Sequence, residues 1–322
     1  MEHTAAGWGN REDVGGRCPG YSQFHNRAST GRNNCISVRG AGRRARNLSA
    51  SVTTRLTLSR TTVVRAVAFE GTQASAEVAR TFFIGTDHKL PVVSLAAAPG
   101  NFEFRNGVLY GMGSALSSSG QVLQNFPFSG SNAWKDREIE VSIELYEPNQ
   151  QPAFQQRAGL KIYGGWGSRG YPQKSFALFA RQKYGDGKIN YQVFPDKPID
   201  AFESLVLRNS GNDNQSTHQT APRPPISVFG PAPSYGSYFV NSSFTLMRDA
   251  MMQQLIKDTG LDIQAYRPAV LYVNGDYWGL YNLREKMNED YIVTNHGLKK
   301  LRRLRQHVPL LHRGVGHGHR LA

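Results

Sequence analysis

The chain is poor in cysteine, with only Cys18 and Cys35 in 322 residues, both near the N-terminus. Two thiols build neither a disulfide framework nor a tetrahedral metal cluster, and they leave the redox compartment undecided. A run of about 18 apolar residues is also lacking, which excludes a membrane-spanning helix. The first thirty residues hold no short apolar core of an export signal, so export is neither read from this chain nor excluded. Acidic residues are scarce at both ends. Residues 1 to 60 carry ten arginines against Glu2, Glu12 and Asp13, and residues 297 to 322 carry seven Lys or Arg and no acid. These stretches account for the whole net charge of +14, because 61 to 296 balance 21 basic against 21 acidic residues. A specific nucleic-acid reader needs its basic patch on the folded part, among stacking aromatics. Charge confined to the ends argues against one.

Residues 1 to 55 are rich in Gly, Arg, Asn and Ser without helical or strand period, and are expected to be disordered or non-native. Residues 297 to 322 form a basic tail. Its His307, His312, His317 and His319 are joined by no acid or cysteine, so a solvated tail is expected rather than a metal tract. The composition break also fits tails read from shifted frames around an authentic middle.

What is present between the tails is mostly strand. "TTVVRAVAFEGTQASAEVARTFFI" alternates Val63, Arg65, Val67 and Phe69 with Val64, Ala66 and Ala68, turns at Glu70-Gly71, and resumes through Val78 to Ile84. Further strands are expected in "KLPVVSLAAA" from Lys89, at Glu138 to Pro148, Arg157 to Gly165, Lys174 to Ala180, and Ser204 to Ser210. A Pro-rich insert at 221–237 reads as a mobile loop. One helix follows, with Asn241, Ser242 or Ser243 as cap, Phe244, Met247, Met251 and Leu255 as a core-facing stripe, and Gly260 at the C-terminal end. "YRPAVLYVNGDYWGLYNLREKM" is a hairpin closed by Asn274-Gly275. The fold class expected is α+β and strand-rich.

"GGWGSRGYPQKSFALF", Gly164 to Phe179, is the segment closest to a phosphate loop. Gly165, Gly167 and Gly170 fit G-x-G-x-x-G, but Pro172 and an alternating run follow where a dinucleotide fold needs a helix. A Walker loop needs lysine directly after the last glycine, and three residues intervene here. What survives is strand, glycine turn, strand, with Arg169 and Lys174 beside the turn. That is the form of a kinase-type phosphate cover, or of a plain hairpin tip.

"LPVVSL", "GLKIYGGWGSRGYPQKSFALF", "LVLRNSGND", "LMRDAMMQQL" and "YRPAVLYVNGDYWGLYNLREKMNEDYI" occur in the order expected of the spore-coat protein H (CotH) kinase-like family. The resemblance spans roughly Leu90 to His296. It implies the strand-rich N-lobe of an atypical kinase-like fold, located outside the cytoplasm or at the cell surface. It implies transfer of the γ-phosphate of ATP to protein serines with magnesium. Residue by residue, Arg169 and Lys174 resemble the phosphate-facing pair beside Gly165, Gly167 and Gly170. Asp249 or Glu285 would supply the acid that holds the lysine, unless each is only a surface ion pair. The stretch from Thr61 to Ile84 is similar to the end of the β-sandwich module at the C-terminus of chitobiases and hexosaminidases, incomplete here.

Phosphoryl transfer also needs carboxylates for magnesium and one to orient the attacking hydroxyl. The family supplies them after the block that ends near His296, whereas no Asp or Glu follows Asp290 here. Asn212 and Asp213 form the tightest remaining acid and amide cluster, for which loop capping is expected rather than metal binding. The resemblance therefore implies a kinase fragment that is catalytically incomplete. The rival class is a non-catalytic surface or coat module in which exposed Trp166, Tyr171, Tyr277 and Trp278 bind a glycan or a protein partner.

Overall fold

A computed structural model of the chain describes residues 32–40, 46–47, 58–70, 73–213 and 244–298. The insert at 221–237, the histidines of the C-terminal tail and Cys18 lie outside them, as does the side chain of Cys35.

A small antiparallel sheet comes first, built from β1 (Arg32–Gly40), β2 (Arg46–Asn47), β3 (Thr62–Glu70), β4 (Gln73–Ala74) and β5 (Val78–Phe82). β3 is its centre, with β1 on one side from Thr62 to Glu70 and β5 on the other. β1 and β2 lie within the stretch 1 to 55, in which the sequence shows no strand period. β1 has little apolar alternation, and its pairing rests on backbone hydrogen bonds to β3, which leave no period in the sequence.

The main body is a closed seven-stranded barrel of β6 (Val92–Ala96), β7 (Ile139–Tyr146), β8 (Pro152–Ile162), β9 (Phe176–Phe179), β12 (Ser204–Arg208), β13 (Tyr266–Val273) and β14 (Asp276–Glu285). A two-stranded ribbon, β10 (Ile189–Asn190) with β11 (Ala201–Phe202), lies between β9 and β12 in sequence. The order around the barrel is β12, β14, β13, β6, β7, β8, β9, and β9 pairs again with β12. Only β6 and β13 run parallel among these pairs. The period-2 alternation sends Val93, Leu95, Val141, Ile143, Leu160, Phe176, Leu178, Leu205, Leu207, Leu271 and Leu283 into one continuous core. The long β6–β7 connection adds Phe102, Leu109 and Tyr110, which pack on Trp278 with edge contacts at 5.9 and 5.7 Å for the two rings that meet it. Asn274 takes a left-handed φ of 53° and Gly275 one of 86°, closing the β13–β14 hairpin as Asn-Gly predicts.

A buried acid is central to the junction of the small sheet with the barrel, beside a Thr81–Ser94 bond and the packing of Val63 and Ala79 on Ala96. Glu144 of β7 accepts from the Thr81 amide at 2.8 Å, the Thr81 hydroxyl at 2.6 Å and the Tyr146 hydroxyl at 2.8 Å. Arg80 adds an ion pair at 3.3 Å. Burial holds this carboxyl above its usual range, against the pull of those donors.

Among the described residues three α-helices decorate the barrel: α1 (Trp166–Gly170), α2 (Arg248–Leu255) and α3 (Glu289–His296). In α2 the expected core stripe faces solvent, with Met247 49%, Met251 47% and Leu255 70% exposed, and only Ala250 buried. The polar face is the one that docks. Asp249 pairs with Arg208 of β12 and Arg284 of β14, and Gln253 accepts from the Gln264 amide at 2.7 Å. Two guanidiniums on the barrel exterior need a carboxylate more than they need a methionine. The expected cap residues Asn241, Ser242 and Ser243 lie outside the described residues. Asp213 caps α2 from outside, accepting from the Arg248 amide at 3.2 Å and the Thr245 amide at 2.7 Å. The loop-capping role expected of Asp213 is thus observed, while the Asn212 side chain lies outside the described residues. α3 was not expected, although Asn288 accepts from the Tyr291 amide, Glu289 and Asp290 open the first turn, and Gly297 ends it at a left-handed φ of 64°.

Candidate functional site

The glycine segment connects β8 to β9, and it is neither a bare turn nor an open cradle. Residues 166–170 wind into α1, whose Arg169 amide donates to Gly165 O at 2.9 Å. Gly164 sits at φ 94°, in the left-handed region that favours glycine. A Cβ on Gly170 would come within 2.4 Å of the Phe126 ring, so this glycine is required by close packing. Gly165 has open space around it and carries no such requirement.

Lys174 and Arg169 both turn toward the protein. The Lys174 ammonium donates to Arg169 O at 2.6 Å and Tyr171 O at 2.9 Å, and lies 5.1 Å from the centre of the Tyr110 ring. Burial lowers its pKa to about 7. Arg169 donates through Nε to Gly164 O, through Nη1 to Ala133 O at 2.6 Å and through Nη2 to Asp136 at 2.8 Å, and it stacks over Trp134. These contacts hold the loop shut around its own carbonyls.

Neither candidate acid reaches the lysine. Asp249 accepts from Arg208 at 2.9 Å and from Arg284. Burial pushes its carboxyl up, but the two guanidiniums outweigh that and leave it below the usual range. Glu285 is paired with Lys197, accepts from the Ala265 amide at 2.9 Å and receives Asn295 Nδ2 at 3.0 Å. The expectation that one of them holds Lys174 is therefore corrected. Each acid is ion-paired elsewhere: Asp249 of α2, partly exposed, with Arg208 and Arg284, and Glu285 at the end of β14, buried, with Lys197. Among the aromatics, Trp166 and Tyr277 are exposed at 63% and 43%, while Tyr171 and Trp278 are buried and serve packing.

Sequence reasoning missed the residue that ties this region together. Asn209, wholly buried at the end of β12, donates to Gly167 O at 3.2 Å and to Gln173 O, while its Oδ1 accepts from Ser175 Oγ at 2.8 Å and the Gly211 amide at 2.8 Å. Tyr281 of β14 adds a bond from its hydroxyl to Lys174 O at 2.8 Å. Asn209 stands in "LVLRNSGND", where an amide that closes an apolar strand was the available signal. Gln173 Oε1 is buried without a hydrogen-bond partner among the described residues.

Residues 242–307 match the family model described as CotH kinase protein. That segment is similar to the CotH family. It contains α2, the β13–β14 hairpin and α3, hence Asp249, Arg284 and Glu285. The match runs to 307, eleven residues into the stretch read from the sequence as an unrelated basic tail. No curated protein matches the chain.

Whether these residues fit a triphosphate follows from their donor set. A phosphate site needs cations and amides directed at the ligand. Here both cations donate to carbonyls, and the amides of Arg169 and Ser175 bond within the loop, the latter to Ser168 O at 2.9 Å. As arranged, these residues do not fit a bound triphosphate. Among the described residues no group of three or more His, Cys, Asp or Glu is placed to hold a metal ion, and no helix is long and apolar enough to cross a membrane.

Proposed function

We propose that this chain is a CotH-like relative of atypical protein kinases, built on the strand-rich lobe of that fold and not itself a phosphotransferase at a kinase's rate. The observation that carries the reading is the family match over α2, β13–β14 and α3. In the intact family ATP and magnesium drive phosphorylation of protein serines, and the location is extracytoplasmic or at the cell surface. The stretch from Thr61 to Ile84, which holds β3, β4 and β5, is read as the end of a chitobiase-type module. Arg169, Lys174 and Gly165, Gly167 and Gly170 serve a nucleotide only in an arrangement that frees both cations from their carbonyls. Calorimetry of Mg-ATP with the 322-residue chain and with Lys174→Met tests that role: equal heats remove it, and an affinity lost in the variant restores it. Transfer of labelled γ-phosphate to a serine-rich substrate tests the rest. Transfer by the parent that Lys174→Met abolishes would overturn the non-transferring reading.

A second reading, a non-catalytic coat or surface module that binds a protein or glycan, is favoured by the outward Met251, Met252 and Leu255 of α2 and by exposed Trp166 and Tyr277.

A further inference from the structure

A cavity of about 250 Å³ opens between β5, the segment that follows it and the β6–β7 wall, beneath the β7–β8 turn. It is remote in sequence from the glycine loop, and none of its lining residues takes part in the loop's contacts. Phe83, Val92 and Tyr146 form its apolar floor, and Arg80, His88 and Gln150 supply polar groups around it. The volume falls below the roughly 300–1,000 Å³ of drug-sized sites, so the occupant is one small ring.

Three observations select the chemistry of that ring. Phe83 and Tyr146 meet edge to face, with centroids 5.1 Å apart and planes at 88°. That corner offers one aromatic face and one edge, which suits the polarised C–H face of a saturated ring, whereas a nucleobase seeks parallel faces to stack between. Charge is balanced: Arg80 lies 3.3 Å from Glu144, and Glu147 in the wall is paired with Arg267. A phosphate or carboxylate gains little there, and a neutral ligand is favoured. The polar groups combine donors and acceptors. His88 Nε2 bonds Tyr272 Oη at 2.7 Å, and burial keeps the ring neutral, so one ring nitrogen is left to a ligand. Gln150 holds a left-handed φ of 66° at the turn, a position where glycine would be cheapest, and in doing so keeps an amide at the cavity.

We propose that this cavity binds one neutral pyranose ring, with its apolar face on the Phe83–Tyr146 corner and its hydroxyls on Gln150, His88 and Arg80. The site goes beyond the kinase-type reading, and neither depends on the other.

Saturation-transfer NMR and calorimetry on the full chain would use methyl β-glucopyranoside, methyl β-galactopyranoside and methyl N-acetyl-β-glucosaminide, with adenosine alongside. At least one glycoside is expected to bind with a dissociation constant of about 1–10 mM, the weak end of the scale. Gln150→Gly and His88→Ala should each weaken it about fivefold or more. Gln150→Gly relieves the turn, so its unfolding temperature should not fall, which separates lost binding from lost folding. Absence of any glycoside signal, preference for adenosine, or binding indifferent to both substitutions would each overturn the assignment.

Discussion

Replacing Lys174 by methionine should change how stability depends on pH, and the sign follows from its burial. The side chain is enclosed and its folded pKa falls from 10.5 to about 7. In the unfolded chain it regains its ordinary value, so between about pH 7 and 10.5 the unfolded state binds the extra proton. Stability then rises with pH across that window, by about 1.4 kcal/mol per pH unit at full slope. From pH 7.5 to 9.5 the parent should gain roughly 2–3 kcal/mol from this group, as an order of magnitude. Below pH 7 the lysine is protonated in both states, so the pH dependence vanishes while the cost of the buried charge is at its full value. Tyr171 and Tyr281 beside Lys174 do not titrate in the window, because burial raises Tyr171 to about 12 and holds Tyr281 well above its ordinary value. Lys174→Met also removes the donors to Arg169 O and Tyr171 O, which adds a cost of about 1–3 kcal/mol per carbonyl left dry, independent of pH. The assay is urea unfolding of parent and variant at pH 6, 7.5, 8.5 and 9.5. Groups common to both chains cancel in the difference, so the variant should look best relative to the parent at pH 6 and worst at pH 9.5. A difference that stays flat from pH 7.5 to 9.5, or that shrinks, would refute the reasoning and place the ammonium in contact with water.

Asp249→Asn leaves Arg284, whose Nε and Nη2 have no hydrogen-bond partner among the described residues, without its counter-charge. The cost in denaturant unfolding should be about 2 kcal/mol, below the 3–5 kcal/mol of a fully buried pair because Asp249 is 39% exposed and solvent screens it; no measurable loss would mean that α2 is not held by charge. Glu144→Ala strips acceptors from the buried Thr81 amide and hydroxyl and should cost about 3 kcal/mol or more, with Glu144→Gln milder, read as thermal midpoints. Deleting residues 1 to 57 removes β1 from the edge of β3 and should lower the thermal midpoint and promote self-association, read by light scattering; an unchanged midpoint would show that β1 contributes nothing.

Much of the barrel was legible because side-chain alternation is local. Val141 and Ile143, Leu205 and Leu207, and Leu271 and Val273 announce both their strands and their inward faces without reference to any partner. The β13–β14 turn was equally legible, since Asn274 and Gly275 tolerate positive φ better than their alternatives. The candidate site was less so. Lys174 and Arg169 were found in the right loop, but a lysine beside glycines has the same sequence whether its ammonium meets a phosphate or two backbone carbonyls.

By itself, then, the sequence determined the barrel strands with their apolar and polar faces, the hairpin turn and the even charge of the middle segment, because each depends on residues within a few positions of one another, whereas β1, β2, β10 and β11 left no such period. Tertiary structure decided the rest. Closure of β9 onto β12 and the parallel pairing of β6 with β13 join residues far apart in the chain. The same holds for α2, whose helical period marks two unlike faces without saying which one meets a partner. Arg208 and Arg284 settled that choice, since two guanidiniums on the barrel wall bind Asp249 more strongly than the same wall could bind methionines, and the apolar stripe was left to the solvent.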